Sequence, residues 1–341
     1  MAAAAGDAGA SSPVEPPPAP DSQRARRRAE AQRRRAKRRG LIVLGALAVA
    51  GAGAFLVGAL IGGGDEQGAG AGSEQTAPPL AELPRGGRDL LPGHTLVGFY
   101  GAPQDDELGA LGIGSPAQAS ERLAEQAREY DGERPVLPVL ELLASIAAAA
   151  PGDDGNYRLL QPHSVIERYL DEARRRRGLL LLDVQPGRAD FVEEAERIDR
   201  WLREPDVGLA LDPEWHVGPT EIPGQVIGSV DAQTVNEVSA HLSRIVERHE
   251  LPEKLLVIHQ FTDDMIGARS ELRDRPGVAI VLNSDGFGDP PNKISKYDAL
   301  RPDRGTPFYP GFKLFYGEDL DLMSSDEVLD LRPEPKLIVY E

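Results

Sequence analysis

Between Thr95 and Glu341 the chain alternates short apolar runs with longer stretches whose apolar positions recur at helical spacing. The apolar runs are Thr95–Tyr100, Val136–Leu140, Leu179–Asp183, Val207–Leu211, Leu255–His259, Val278–Leu282, Gly311–Tyr316 and Leu337–Tyr340. Such short, nearly continuous apolar runs fit strands covered on both faces, as in a parallel sheet. The stretches between them predict helices. One opens at Ser115-Pro116 and ends near Tyr130, with Pro suited to the first turn. Pro162–Arg177, Ala189–Arg203 and Asp231–Glu250 follow, then shorter helices over Asp263–Asp274, Asn292–Leu300 and Ser324–Leu331. Eight strands alternating with helices predict an α/β fold, a (β/α)8 TIM-type barrel. An open nucleotide-binding sheet is disfavoured, because the first strand is followed by Gly101-Ala-Pro-Gln-Asp105 and no G-x-G-x-x-G. No helix-like stretch follows the eighth run, so residues 79–92 are expected to cover that flank.

The pattern changes before residue 94. Residues 1–22 are mostly Ala, Pro, Gly and Ser. With the Arg-rich run from Arg24 to Arg39, they predict a disordered basic tail over residues 1–40. Leu41–Ile61 carries no charge and is long enough to span a bilayer. Basic residues ahead of it place the N-terminus in the cytoplasm and the barrel outside. A cleaved signal peptide is the competing reading, with small residues at Ala50, Ala52 and Ala54. Residues 62–93, rich in Gly, Ala and Pro, predict a flexible linker, and 94–341 the extracytoplasmic barrel.

Charge sharpens this division. The net charge is −17, yet residues 1–40 hold ten basic and four acidic side chains, about +6, which leaves the remainder near −23. So acidic a barrel does not suit nucleic acid. The absence of Cys excludes a thiolate metal site, a disulfide framework and a cysteine nucleophile.

In a barrel of this kind, chemistry gathers at the C-terminal ends of the strands. Read in order, those ends carry Tyr100; Glu141; Asp183 and Gln185; Asp212, Glu214, Trp215 and His216; His259, Gln260 and Asp263; Asn283 and Asp285; Tyr316 and Glu318; and Tyr340. Carboxylates beside aromatic faces suit a carbohydrate, whose hydroxyls need acceptors and whose C–H faces stack on rings. The expected catalytic residues are Glu214 as acid/base, Glu318 as nucleophile and Asp212 as the group that tunes Glu214. Tyr100, Asp183, Gln185, Trp215, His259, Gln260, Asp285 and Tyr316 are expected to bind substrate. The bland alternative is that the rings close the barrel top and Asp212 caps a turn ahead of Pro213.

Carboxylates after strands four and seven resemble the pair of the retaining barrel glycosidases, although Pro213 stands where those enzymes have Asn. Gly208–Glu214 also resembles the end of the D-G-x-D-x-D-x-E strand of chitinase-like barrels. Only Asp212 and Glu214 of that motif are kept, and Val207 and Ala210 replace two acids. That resemblance implies Glu214 as proton donor and Asp212 as its partner. Through Leu211–Trp215, Pro223–Ser229 and Val257–Phe261, the layout is similar to uncharacterised actinobacterial membrane-anchored envelope proteins with a glycoside-hydrolase-like barrel. The resemblance carries no established activity; the residues themselves lead to the expectation of a cell-membrane protein with a polysaccharide ligand and no cofactor.

Two alternatives stay open. A catalytically silent barrel would bind glycan or a protein partner. A metal-dependent hydrolase would draw ligands from Asp183, Asp212, Glu214, His216 and His259. No Ser nucleophile elbow, P-loop or dinucleotide fingerprint is present.

Overall fold

The computed structural model describes residues 80–341. Eight parallel strands close into a barrel: β1 (Thr95–Gly101), β2 (Val136–Ala147), β4 (Leu179–Val184), β5 (Val207–Leu211), β7 (Lys254–Gln260), β9 (Val278–Ser284), β10 (Tyr309–Leu314) and β11 (Leu337–Tyr340). Closure is the parallel pairing of β1 with β11 on one side and β2 on the other. β3 (Arg158–Leu160) pairs antiparallel with the overhanging end of β2, and β6 (Val230–Asp231) pairs with β8 (Ile266–Gly267) outside the barrel. The barrel expected from the apolar runs is therefore formed.

Helices α1 (Pro116–Arg128), α2 (His163–Arg175), α3 (Phe191–Arg197), α4 (Asp199–Leu202), α5 (Ala232–His249), α6 (Pro290–Leu300) and α7 (Ser325–Leu329) surround it. Local sequence explains their starts. Ser115 and Gln118 form a capping box on α1, and Ser324 and Glu327 form one on α7.

Alternate strand residues face opposite sides. One set, including Leu140, Leu182, Leu209, Ile258, Leu282 and Phe312, packs under the helices. The other set, including Leu96, Leu137, Leu181, Val257, Val281 and Val339, fills the barrel interior. Gly311 belongs to the interior row, and a Cβ there would lie 2.4 Å from Asn283 Oδ1, so its missing side chain is the space Asn283 occupies.

Three expectations are corrected. Asp263–Asp274 is not a helix. Ile266 and Gly267 pair as β8, Ala268 is left-handed, and a single 3-10 turn spans Arg269–Glu271. Only Met265 and Ile266 of the run's apolar residues are fully buried, too narrow a stripe to hold a helix. The Ala189–Arg203 helix breaks at Ile198 into α3 and α4. Residues 80–93, expected from sequence to be linker and to cover the flank of the eighth strand, instead plug the barrel's N-terminal end. Leu83, Leu90 and Leu91 join the interior cluster. Arg88 donates to the carbonyls of Glu250 and Leu251, and Glu253 accepts from the amides of Leu90 and Leu91. The eighth-strand flank is covered by aromatic rings: Tyr340 meets Tyr130 and Tyr316.

No helix among the described residues is long and apolar enough to cross a membrane. The span expected at Leu41–Ile61 and the basic tail lie outside the described residues.

Candidate functional site

Toward the C-terminal mouth every barrel strand contributes an inward polar residue, with Glu141 inside the long β2 and Asp212 and Glu341 directly after β5 and β11. These are Tyr100, Glu141, Asp183, Asp212, His259, Asn283, Lys313 and Glu341, all buried. Their contacts prove the direction. Tyr100 on β1 bonds Asp212 after β5, and His259 on β7 reaches Glu141 on β2, pairs that meet only across the lumen. Interiors of such barrels are ordinarily filled by bulky apolar side chains. The upper layer here is polar throughout.

The ring divides into three groups. In the first, the Asp212 carboxylate accepts from Tyr100 Oη at 3.3 Å and Gln185 Nε2 at 3.1 Å. Gln185 is fixed at its other end by the amide of Ala147 on the overhang of β2, and also donates to Tyr100 Oη at 2.8 Å. Burial raises the Asp212 pKa, and nearby His259 and Lys313 temper the rise.

In the second group, Lys313 Nζ lies 3.2 Å from Asp285 and 2.9 Å from Glu341, with its charge 3.7 Å from the Tyr100 ring centroid. Asn283 adds a 2.6 Å hydrogen bond to Asp285. Although burial opposes it, Lys313 and His259 bring the Asp285 pKa down to about 2.

The third group is Glu141, Asp183 and His259. The imidazole places Nε2 2.7 Å from Glu141 and 3.7 Å from Asp183, and Nδ1 3.0 Å from Asp285. Against the pull of burial, Asp285 and Glu141 hold the His259 pKa well up. Asp183 is fully buried. Burial first, and the Asp212 charge second, push its pKa well above the usual carboxylate range. Neither Asp183 oxygen meets a hydrogen-bond donor among the described residues, nor does Glu141 Oε2.

Of the residues expected from sequence, Tyr100, Asp183, Gln185, Asp212, His259 and Asp285 converge in this network. The others do not enter it through the contacts above. Glu214 and Trp215 lie on the rim in the 3-10 turn Pro213–Trp215, Glu214 half-buried and Trp215 buried. Glu318 lies in the turn after β10, whose neighbouring Asp319 accepts from the Phe315 and Gly288 amides and pairs with Lys293. Gln260 points outward and donates to the carbonyl of Leu300 at the end of α6. Tyr316 lies outside the barrel, stacked on Tyr340 and bonded to Gln126 on α1. His216 faces the Ser229 carbonyl and the Phe191 ring.

Lys313 and Glu341 went unread in the sequence. β10 ends at Leu314, before Phe315 and Tyr316, so counting inward positions two at a time from Gly311 leads to Lys313 rather than Tyr316. The same count from Leu337 leads through Val339 to Glu341.

No protein-family model matches the sequence, and no curated protein matches it. Among solved structures, the chain is similar to the cellulose synthase subunit Z of Clostridioides difficile. The identity is 11%, the TM-score 0.41, and the match covers 72% of this chain and 91% of that one. Likeness at that level carries no argument about function.

Proposed function

We propose that this is a membrane-anchored, extracytoplasmic, glycoside-hydrolase-like barrel that acts at its C-terminal mouth on a cell-envelope or exogenous polysaccharide. The observation that carries the reading is the polar ring. Eight buried polar side chains in one layer cost stability that apolar residues would supply, and natural proteins break packing rules in this way chiefly at functional sites. Within the ring, the Tyr100–Asp212–Gln185 group sits directly before the rim turn that carries Glu214 and Trp215. Glu214 is the proposed proton donor, Trp215 a platform for a sugar face, and Asp212 the group that positions and tunes Glu214. Glu318 is the proposed second carboxylate. The span at 41–61 is the proposed anchor, with the N-terminus cytoplasmic.

The test is release of reducing ends from a panel of envelope and plant polysaccharides by the full-length chain. Glu214→Gln should lower an observed rate by roughly 100-fold or more, the usual scale of general acid catalysis. An unchanged rate in that variant would falsify the assignment.

A second reading rests on the closure of the ring. Glu141 and Asp183 have no solvent exposure, so a glycan reaches only the rim. A barrel that binds glycan or a protein partner without turnover fits this burial. It predicts saturable glycan binding that survives Glu214→Gln.

A further inference from the structure

We propose that the barrel binds a divalent first-row transition cation through Glu141, Asp183 and His259. One donor atom from each lies within 4.8 Å of the other two. Within the ring, the other acids have partners. Lys313 takes Asp285 and Glu341, while Tyr100 and Gln185 take Asp212. Glu141 and Asp183 share only the imidazole, and three of their four oxygens meet no hydrogen-bond donor among the described residues. Enclosed carboxylate oxygens without donors are costly, and a cation at Nε2 of His259 binds one oxygen of each carboxylate and answers the charge of both.

The surroundings of His259 fit this use. Its Nδ1 is held at 3.0 Å by Asp285, and Asp285 is fixed in turn by Lys313 and Asn283. A carboxylate behind the far nitrogen of an imidazole is the usual outer support of a metal-ligating histidine, because it sets the tautomer and aims the other nitrogen. Nε2 is thereby aimed at Glu141 and Asp183. A cation about 2.0–2.2 Å from each donor separates the donors by roughly 3–4 Å. The 2.7 Å and 3.7 Å contacts reach that range when Glu141 retreats by a few tenths of an ångström. One imidazole nitrogen with two carboxylates suits Zn²⁺ or Mn²⁺. Ca²⁺ prefers six to eight oxygens and is disfavoured.

This inference is independent of the glycan reading, since binding is measured without substrate. The full-length chain, in detergent and without a polyhistidine tag, is stripped with chelator. It is then titrated with Mn²⁺, followed by the spin resonance of the free ion, and with Zn²⁺ against a chromophoric chelator. The expected result is one ion per chain and a higher thermal midpoint with metal than without. Asp183→Asn should weaken binding at least about 10-fold and remove the thermal shift, and Asp285→Asn should weaken it by roughly 10–100-fold. Metal-free Asp183→Asn should melt no lower than metal-free wild type, because it relieves a buried carboxylate without donors; that comparison separates a lost ligand from a lost fold. Absence of saturable one-to-one binding by the wild type at micromolar free metal overturns the proposal. So does unchanged binding in both Asp183→Asn and His259→Gln.

Discussion

Lys254 and Lys313 are both buried, and the chain treats them in opposite ways. Lys313 meets two carboxylates. Lys254, at the start of β7, donates to the carbonyls of Glu204 and Val207. Burial drives its pKa down to about 7, and the charges of Asp206 and Glu204 offset only part of that. The consequence for stability has a definite sign. Below about pH 7 both folded and unfolded chains hold the proton, and the penalty of the buried charge is constant. Between about pH 7 and the unfolded value near 10.4, the unfolded chain holds a proton that the folded chain has lost. Stability therefore rises with pH across that window. Urea midpoints at neutral and mildly alkaline pH should show the wild type gaining stability, with an amplitude on the order of a few kcal/mol at most. Lys254→Met should lack that gain. Parallel pH profiles for the two proteins would show that Lys254 is charged in the folded state throughout.

At the scale of elements, the segment 80–93 does the work of a barrel floor. Leu90 is fully buried among interior residues, and the segment is tied down by Arg88, Glu253 and Tyr309. Leu90→Ala should cost about 2–5 kcal/mol, the range for a buried leucine truncated in a tight core. A loss below about 0.5 kcal/mol, read from chemical denaturation, would mean that the floor adds little and that the barrel is sealed without it. This segment also shows where sequence reading stops. The eight strands were legible because continuous apolar runs bounded by polar residues have few other uses. The floor was not, since Leu83, Leu90 and Leu91 are scattered among Pro, Gly and charged residues and follow no period. The site was half legible. Asp183, Asp212 and His259 are legible because the runs that carry them end within one residue of the strands β4, β5 and β7. The seventh run reads on as Phe315-Tyr316 beyond the true end of β10, which points to Tyr316 and passes over Lys313. Those two rings serve the outer flank and the turn, and only the two-residue alternation separates them from the lumen.

For the molecule as a whole, the ring sets a charge balance that the rest of the barrel must tolerate. Five carboxyl groups, Glu141, Asp183, Asp212, Asp285 and Glu341, face two cationic side chains, Lys313 and His259, inside one closed layer. Lys313 is the pivot, since it joins Asp285 to Glu341 and lies against Tyr100, so strands β1, β9, β10 and β11 meet at one ammonium. Breaking a buried pair costs more than the pair contributes, because the partner is left charged and unanswered. Lys313→Met should therefore lower stability by about 3–5 kcal/mol. Asp285→Asn removes one of the two carboxylates stranded by that change. If the ring is one coupled unit, the double variant should lose clearly less than the sum of the two single losses, with a coupling of about 0.5–3 kcal/mol. Urea denaturation of the four proteins closes the cycle. Strict additivity would mean that Lys313 acts on the fold through its packing alone, and that the ring is a set of separate contacts.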